Sequence, residues 1–262
     1  MSARLSAASA WRAAAVVVLV AIGVSCGDTK SGPNTPLSIE FFSPQLPSIV
    51  NGDVLHDTLG NVDSLRAVAF NSAGDTIQDA PIRYVHADTT TIVTIDATTG
   101  HVIAADTGFA RVVAQAGTLQ SPPETLFVVL RPDLFASITG LADTFIAAPV
   151  RDSIFPLSLR LTSAGTSVDH YRIEYSIIYP ADFDNSDSTH VLLTNENRKF
   201  SLVDTTATDI SGFSGATTRY LRISPAAHTF ADTVVVEARA FYPDRTPVPG
   251  SPLRFKVFVQ NP

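Results

Sequence analysis

The stretch Gly100-His101-Val102-Ile103-Ala104, continued by Gly108-Phe109-Ala110-Arg111-Val112-Val113-Ala114, holds two short apolar runs, each introduced by a glycine. Runs this brief, rich in Val, Ile and Phe, suit strands on a pleated, half-buried surface. Working outward, similar runs occur at 37–42, 64–70, 82–86, 92–95 and 125–130. Asn71-Ser72-Ala73-Gly74-Asp75, Thr99-Gly100 and Ser121-Pro122-Pro123 separate them. Glycine there permits a positive φ and proline presets φ, so each cluster reads as a turn. About seven strands in about 95 residues predict a β-sandwich.

The order of residues is more specific than a generic sandwich. Ala67-Val68-Ala69-Phe70, Gly74, Tyr84, Asp88, Val93-Thr94-Ile95-Asp96, and the two glycine-led runs together resemble a bacterial immunoglobulin-like domain of group 2 over most of 37–131. The resemblance implies two stacked sheets with an aromatic residue, usually Trp in that family, where Tyr84 stands. Tyr84 is expected to fill the space between the sheets with its hydroxyl at an edge, and Gly100 to close a hairpin.

Arg131-Pro132-Asp133 ends this pattern, and the sequence leaves open whether that junction bends. A second series of strand-like runs follows at 137–141, 156–161, 171–179, 189–194, 200–203, 220–223, 234–242 and 253–259. In the run from Val234, alternation puts Val234, Val236, Ala238, Ala240 and Tyr242 on one face, and Glu237 and Arg239 on the other. Tyr171, Tyr175 and Tyr179 are likewise expected on one face, packed in a core. Two long loops, 179–188 and 204–219, are predicted between strands. No segment carries a sustained helical stripe. The fold class is therefore all-β, with a second immunoglobulin-like sandwich at 132–262 in tandem with the first.

Ahead of both lies a basic start (Arg4, Arg12), an apolar run at 13–24 and the only cysteine, Cys26. The run is short for a bilayer span, which needs about 20 apolar residues, and suits the core of a secretory signal. Ile22-Gly23-Val24-Ser25-Cys26 resembles a bacterial lipoprotein lipobox, although Gly23 stands where the family has a large aliphatic residue. The resemblance implies removal of residues 1–25, lipid attachment at Cys26 and a membrane anchor through that lipid. An ordinary signal with an incidental cysteine, and a retained membrane helix, are the alternatives. Residues 26–36, with Gly27-Asp28-Thr29-Lys30-Ser31-Gly32-Pro33-Asn34-Thr35-Pro36, read as a flexible tether reaching roughly 15–20 Å. Gly27, rather than Asp, resembles the sequence of lipoproteins sent to the outer membrane.

The side chains sum to a net charge of −7, and removal of Arg4 and Arg12 with the signal takes this to −9. Scattered basic residues and that sign speak against nucleic acid as a partner. The acidic segment Asp182-Phe183-Asp184-Asn185-Ser186-Asp187 has the first and third ligand spacing of a helical calcium loop. Its sixth position is Asp187 where Gly is required, so a solvated turn is the plainer reading. His56, His86, His101, His170, His190 and His228 lack zinc spacing, and each is expected to have a satisfied ring nitrogen. Gly212-Phe213-Ser214-Gly215 falls one residue short of a nucleophile elbow and reads as a loop. No metal, cofactor or catalytic residue is therefore expected. The expected function is a lipid-anchored envelope protein acting as a binding, adhesion or spacer module, with an envelope protein or glycan as partner. The alternative is a carbohydrate- or small-ligand-binding accessory protein using loops 179–188 or 204–219.

Overall fold

The computed structural model describes residues 35–138, 144–147, 152–179, 191–194, 205–224 and 233–259. They form strands and turns with no helical segment, in two β-sandwiches. The first contains β1 (Ser38–Phe42), β2 (Ile49–Val50), β3 (Arg66–Phe70), β4 (Thr76–Ile77), β5 (Arg83–His86), β6 (Val93–Ile95), β7 (Val102–Ala104), β8 (Gly108–Ala116), β9 (Leu119–Gln120) and β10 (Glu124–Val129). One sheet runs β1-β3-β4 and the facing one β2-β10-β8-β5, with β9 on β8 and β6-β7 as a separate hairpin. The second contains β11 (Leu134–Ser137), β12 (Thr144–Ala147), β13 (Ser153–Ser163), β14 (Thr166–Ser167), β15 (Arg172–Tyr179), β16 (Val191–Thr194), β17 (Thr206–Ile210), β18 (Ala216–Ile223), β19 (Thr233–Arg239) and β20 (Leu253–Val259). Its sheets run β11-β13-β18-β16, with β14 on β13, and β12-β20-β19-β15-β17. Pairing is antiparallel except for β2 beside β10 and β12 beside β20.

Period-two alternation builds both cores. Leu157, Leu159 and Leu161 of β13 are fully buried, and Phe255, Val257 and Val259 of β20 alternate with outward Arg254, Lys256 and Phe258. Burying each such apolar side chain is worth about 1.5–3 kcal/mol. Tyr84 fills the first core and meets Phe41 edge-on, with ring centroids 6.0 Å apart. Burial pushes its phenol pKa up, opposed by a hydrogen bond with the Ala67 backbone.

Gly100 does more than close the β6-β7 hairpin. Its φ is +70°, and the Gly100 N–H donates to the Asp96 carbonyl at 2.9 Å, as a hairpin requires. A Cβ on Gly100 would also come within 2.7 Å of the Leu65 carbonyl oxygen and 2.9 Å of Tyr84 Cε2. The glycine and the aromatic are thus two halves of one contact.

Several expectations need correction. A strand runs at Leu134–Ser137, ahead of the expected 137–141, because Phe135 enters the core there; 139–141 lie outside the described residues. Loop 204–219 is largely strand, since β17 and half of β18 lie within it. The two-residue strands β2, β4, β9 and β14 carry no sequence signal, being too short to show alternation. Tyr171 and Tyr175 are buried, but Tyr179 is half-exposed. A bulge between Ile177 and Tyr179 pairs Tyr179 with Val235 instead of an inward residue, and one extra residue reverses the face of all that follow. The run at 200–203 lies outside the described residues.

Glu237 faces outward as alternation requires, yet only 1% of its side chain is exposed. Arg239 and Arg254 lie over it, with Arg254 Nε donating to Oε2 at 2.8 Å, and these arginines are themselves about half exposed. Burial pushes the Glu237 carboxyl up, but the hydrogen bonds from Arg254 and Arg239 outweigh it and hold the pKa below the ordinary glutamate value.

Two predictions follow from these contacts. Gly100→Ala is expected to lower unfolding stability by about 2–4 kcal/mol, the left-handed backbone and the overlap both contributing. Gly74→Ala, with an open surrounding and φ of +84°, is expected to cost only about 1–2 kcal/mol in the same urea titration. For Glu237, a folded pKa below the unfolded one means that the unfolded chain binds more protons on acidification. Its contribution is present at neutral pH and lost as pH falls below the ordinary glutamate range, so Glu237→Gln should flatten the acid limb of a plot of stability against pH.

Candidate functional site at the joint between the sandwiches

The richest cluster of specific contacts joins the two modules. Along the chain, β10 leads through Leu130-Arg131-Pro132-Asp133 into β11. Val129, 4% exposed, and Val50, 2% exposed, belong to the first module by strand pairing but pack into the hydrophobic cluster of the second. The Arg131 guanidinium lies 3.9 Å from the centroid of the Tyr242 ring, and the Tyr242 hydroxyl donates to the Pro132 carbonyl at 2.7 Å. Asp133 accepts from the Ala164 N–H at 2.6 Å, and its own N–H donates to Thr162 at 2.9 Å. The junction that the sequence left open is held on both sides.

A second contact forms around His170, which has a left-handed backbone (φ +50°). Its N–H donates to the Ser211 carbonyl at 2.8 Å and its carbonyl accepts from Ser48 Oγ at 2.7 Å, across the joint. The imidazole stacks on Phe127 of β10 with centroids 3.7 Å apart and planes at 11°. Phe213 meets the imidazole edge-on at 5.8 Å, and Asp169 lies 3.2 Å from Nδ1. The turn carrying Phe213 is tied by Gly212 N–H to Ala216 O at 2.9 Å and Gly215 N–H to Gly212 O at 2.8 Å. Gly212-Phe213-Ser214-Gly215 is therefore the tight link from β17 to β18.

The third contact sets the loop at 57–60 against the turn at 242–246. Gly60 has φ of +94°, and a Cβ there would lie 2.9 Å from Arg245 Cγ and 3.0 Å from the Pro243 carbonyl oxygen. His56 braces the loop, its ring nitrogens lying 3.2 Å from the Gly60 carbonyl and 3.2 Å from an Asp53 carboxylate oxygen. Arg245 reaches Glu174 at 3.1 Å and lies over the Phe241 ring at 4.1 Å. Within the turn, the Thr246 hydroxyl and N–H lower the Asp244 carboxyl pKa, and positive charge on Arg131 and His56 adds to the effect. Tyr171 donates to the Phe241 carbonyl at 2.8 Å from a site where burial pushes its phenol strongly up.

Of the residues singled out in the sequence, the structure draws His56, His170, Tyr171 and the 212–215 segment to this joint. It does not bring the histidines together, and no group of three or more metal-ligating side chains occurs among the described residues. His86 Nδ1 is buried and has no hydrogen-bond partner. Cys26, the signal at 1–25, tether residues 26–34, the acidic loop at 182–187, His190 and His228 lie outside the described residues. Phe127, Ser48 and Gly60 gave no sequence signal, since their partners are more than 40 positions away in the chain.

No family model matches this chain, and no curated protein does so at a significant level. Among solved structures, the adhesin InvE of Yersinia pseudotuberculosis is 15% identical with a TM-score of 0.36; the match covers 85% of this chain, which spans 58% of the adhesin chain. The D00-D0 domain of intimin is 11% identical with a TM-score of 0.30, covering 85% of this chain and 100% of that one. Domains 4 and 5 of the S-layer protein SbsC are 11% identical with a TM-score of 0.29, covering 85% and 96%. Likenesses this distant carry no argument about what this chain does.

Gly60→Leu is expected to force the 57–60 loop away from the 242–246 turn. Hydrogen exchange should then quicken at the amides of Tyr242 and Arg245 while those in the middle of β8 keep their protection. Gly117→Leu, which carries the strain of a left-handed backbone (φ +63°) but whose added Cβ meets nothing within 4 Å, should leave the Tyr242 and Arg245 amides no less protected than those in β8.

Proposed function

We propose that this is a lipid-anchored protein of the bacterial cell envelope, held by Cys26 and acting as a non-catalytic module that holds a binding surface at a set distance from the membrane. Kinship with group 2 bacterial immunoglobulin-like domains, and placement at the outer membrane, belong to the same proposal. The observation that carries it is the joint. Two sandwiches linked only by a short peptide would swing, whereas a shared apolar cluster, a ring stack and a fitted glycine oppose bending. Such a pair transmits position, which a spacer or adhesion module needs, and the Gly-, Pro- and polar-rich tether supplies freedom only at its base.

The anchor is testable in a Gram-negative host. The protein should partition with membranes and show by mass spectrometry a chain beginning at a diacylglycerol-modified Cys26, without Trp11 and hence without any tryptophan. Cys26→Ser should remove the lipid and leave the chain unprocessed or soluble. An unmodified thiol on an uncleaved wild-type chain would overturn the anchor. For the spacer role, small-angle scattering should give one particle dimension that does not change with temperature or salt; a broad distribution of dimensions would overturn it.

A further inference from the structure

Four rings gather beside the joint on one surface. Phe109 of β8 and Phe127 of β10 are direct cross-strand partners on the outer face of their sheet. His170 covers Phe127 from the second module, and Phe213 overhangs the imidazole from the β17-β18 turn. Phe213 is 88% exposed and Phe109 is 58% exposed. Between them runs a groove of about 290 Å³ bounded by these four residues and by Asp169, a third of whose side chain is exposed and whose carboxylate lies 3.2 Å from His170 Nδ1. No lysine or arginine lines it.

The lining chemistry selects among occupants. A phenylalanine left almost wholly in water at the tip of a tight turn adds nothing to the core, and clustered exposed apolar rings mark interaction surfaces. Aromatic rings around a carboxylate attract a cation twice, through the ring quadrupoles and through charge. A flat sugar ring could use the same open faces of Phe109 and Phe213 but would leave the Asp169 carboxylate without a counter-charge. The volume lies just below the range of about 300–1,000 Å³ usual for ligand sites, and suits one side chain more than a polymer. Among cationic side chains arginine fits best: its planar guanidinium stacks on a ring while its N–H groups donate in pairs to a carboxylate.

We infer that this groove receives an arginine side chain presented by a partner polypeptide, with Phe213 and Phe109 as ring walls and Asp169 as counter-charge. The site is assembled only when both modules are in place, since Phe109 and Phe127 come from one and Asp169, His170 and Phe213 from the other. The inference goes beyond the spacer role and is independent of the anchor.

The test uses the full lipidated chain in detergent, titrated by calorimetry and ligand-observed NMR with the peptide acetyl-Gly-Gly-Arg-Gly-Gly-amide. Its counterpart with neutral citrulline in place of arginine is titrated in parallel, as is choline. Saturable binding of the arginine peptide is expected, at least about tenfold weaker for citrulline. Phe213→Ala and Asp169→Asn are each expected to weaken the arginine peptide about tenfold or more. Ile146→Ala, which trims another exposed apolar residue on β12, should change nothing. Circular dichroism of each variant separates lost binding from lost folding, and the citrulline comparison decides the matter without any substitution. Equal binding of arginine and citrulline peptides, no binding of either, or choline binding more tightly than arginine would each overturn the inference. None of these outcomes touches the membrane-fractionation result, so failure here and failure of the anchor are distinguishable.

Discussion

Val129 ends a strand of the first sandwich with its side chain in the apolar cluster of the second, and Val50, beside it in the parallel β2-β10 pair, does the same. Everything distinctive about the molecule depends on that shared burial. Because the two side chains leave water only when the modules meet, the hydrophobic effect that stabilises each sandwich also draws them together. Directional contacts then select the angle: a tyrosine hydroxyl on the Pro132 carbonyl, a serine hydroxyl on the His170 carbonyl, and an arginine stem lying where only a glycine leaves room.

The same economy recurs inside each module. Tyr84 needs a neighbour without a side chain, and Gly100 needs a position where a left-handed turn is useful; a single contact answers both. Gly215 and Gly250 repeat the arrangement in the second module, where an added Cβ would meet the carbonyl oxygens of Leu161 and Phe135 at 2.4 and 2.1 Å. Glu237 shows the polar counterpart. Its carboxylate lies under two arginine side chains at the sheet surface, so it is shielded from water without being deep in the protein, and it remains ionised.

Function follows from where these contacts leave surface uncovered. The strand order carries Phe109 and Phe127 to the outer face of a sheet, and the joint then sets His170 and Phe213 against them. The groove there takes its walls from both modules. A surface composed from two modules exists only as long as their angle is kept, which ties a recognition role to the joint's stiffness.

Alternation of apolar residues, the glycine-led turns and the run of strand-forming segments were legible in the chain by itself, and they determined the all-β class and most of the longer strands, whereas the contact of Tyr84 with Gly100 came only from the fold. Local patterns sufficed there, because side-chain period and turn chemistry are properties of neighbours in sequence. The two-residue strands, the bulge that turns Tyr179 outward, the strand inside the supposed loop at 204–219 and the stack of His170 on Phe127 were decided by tertiary structure alone. Each depends on what a residue meets across a sheet or across the joint, and such partners, 122 positions apart for Ser48 and His170, leave no mark in the sequence around either one.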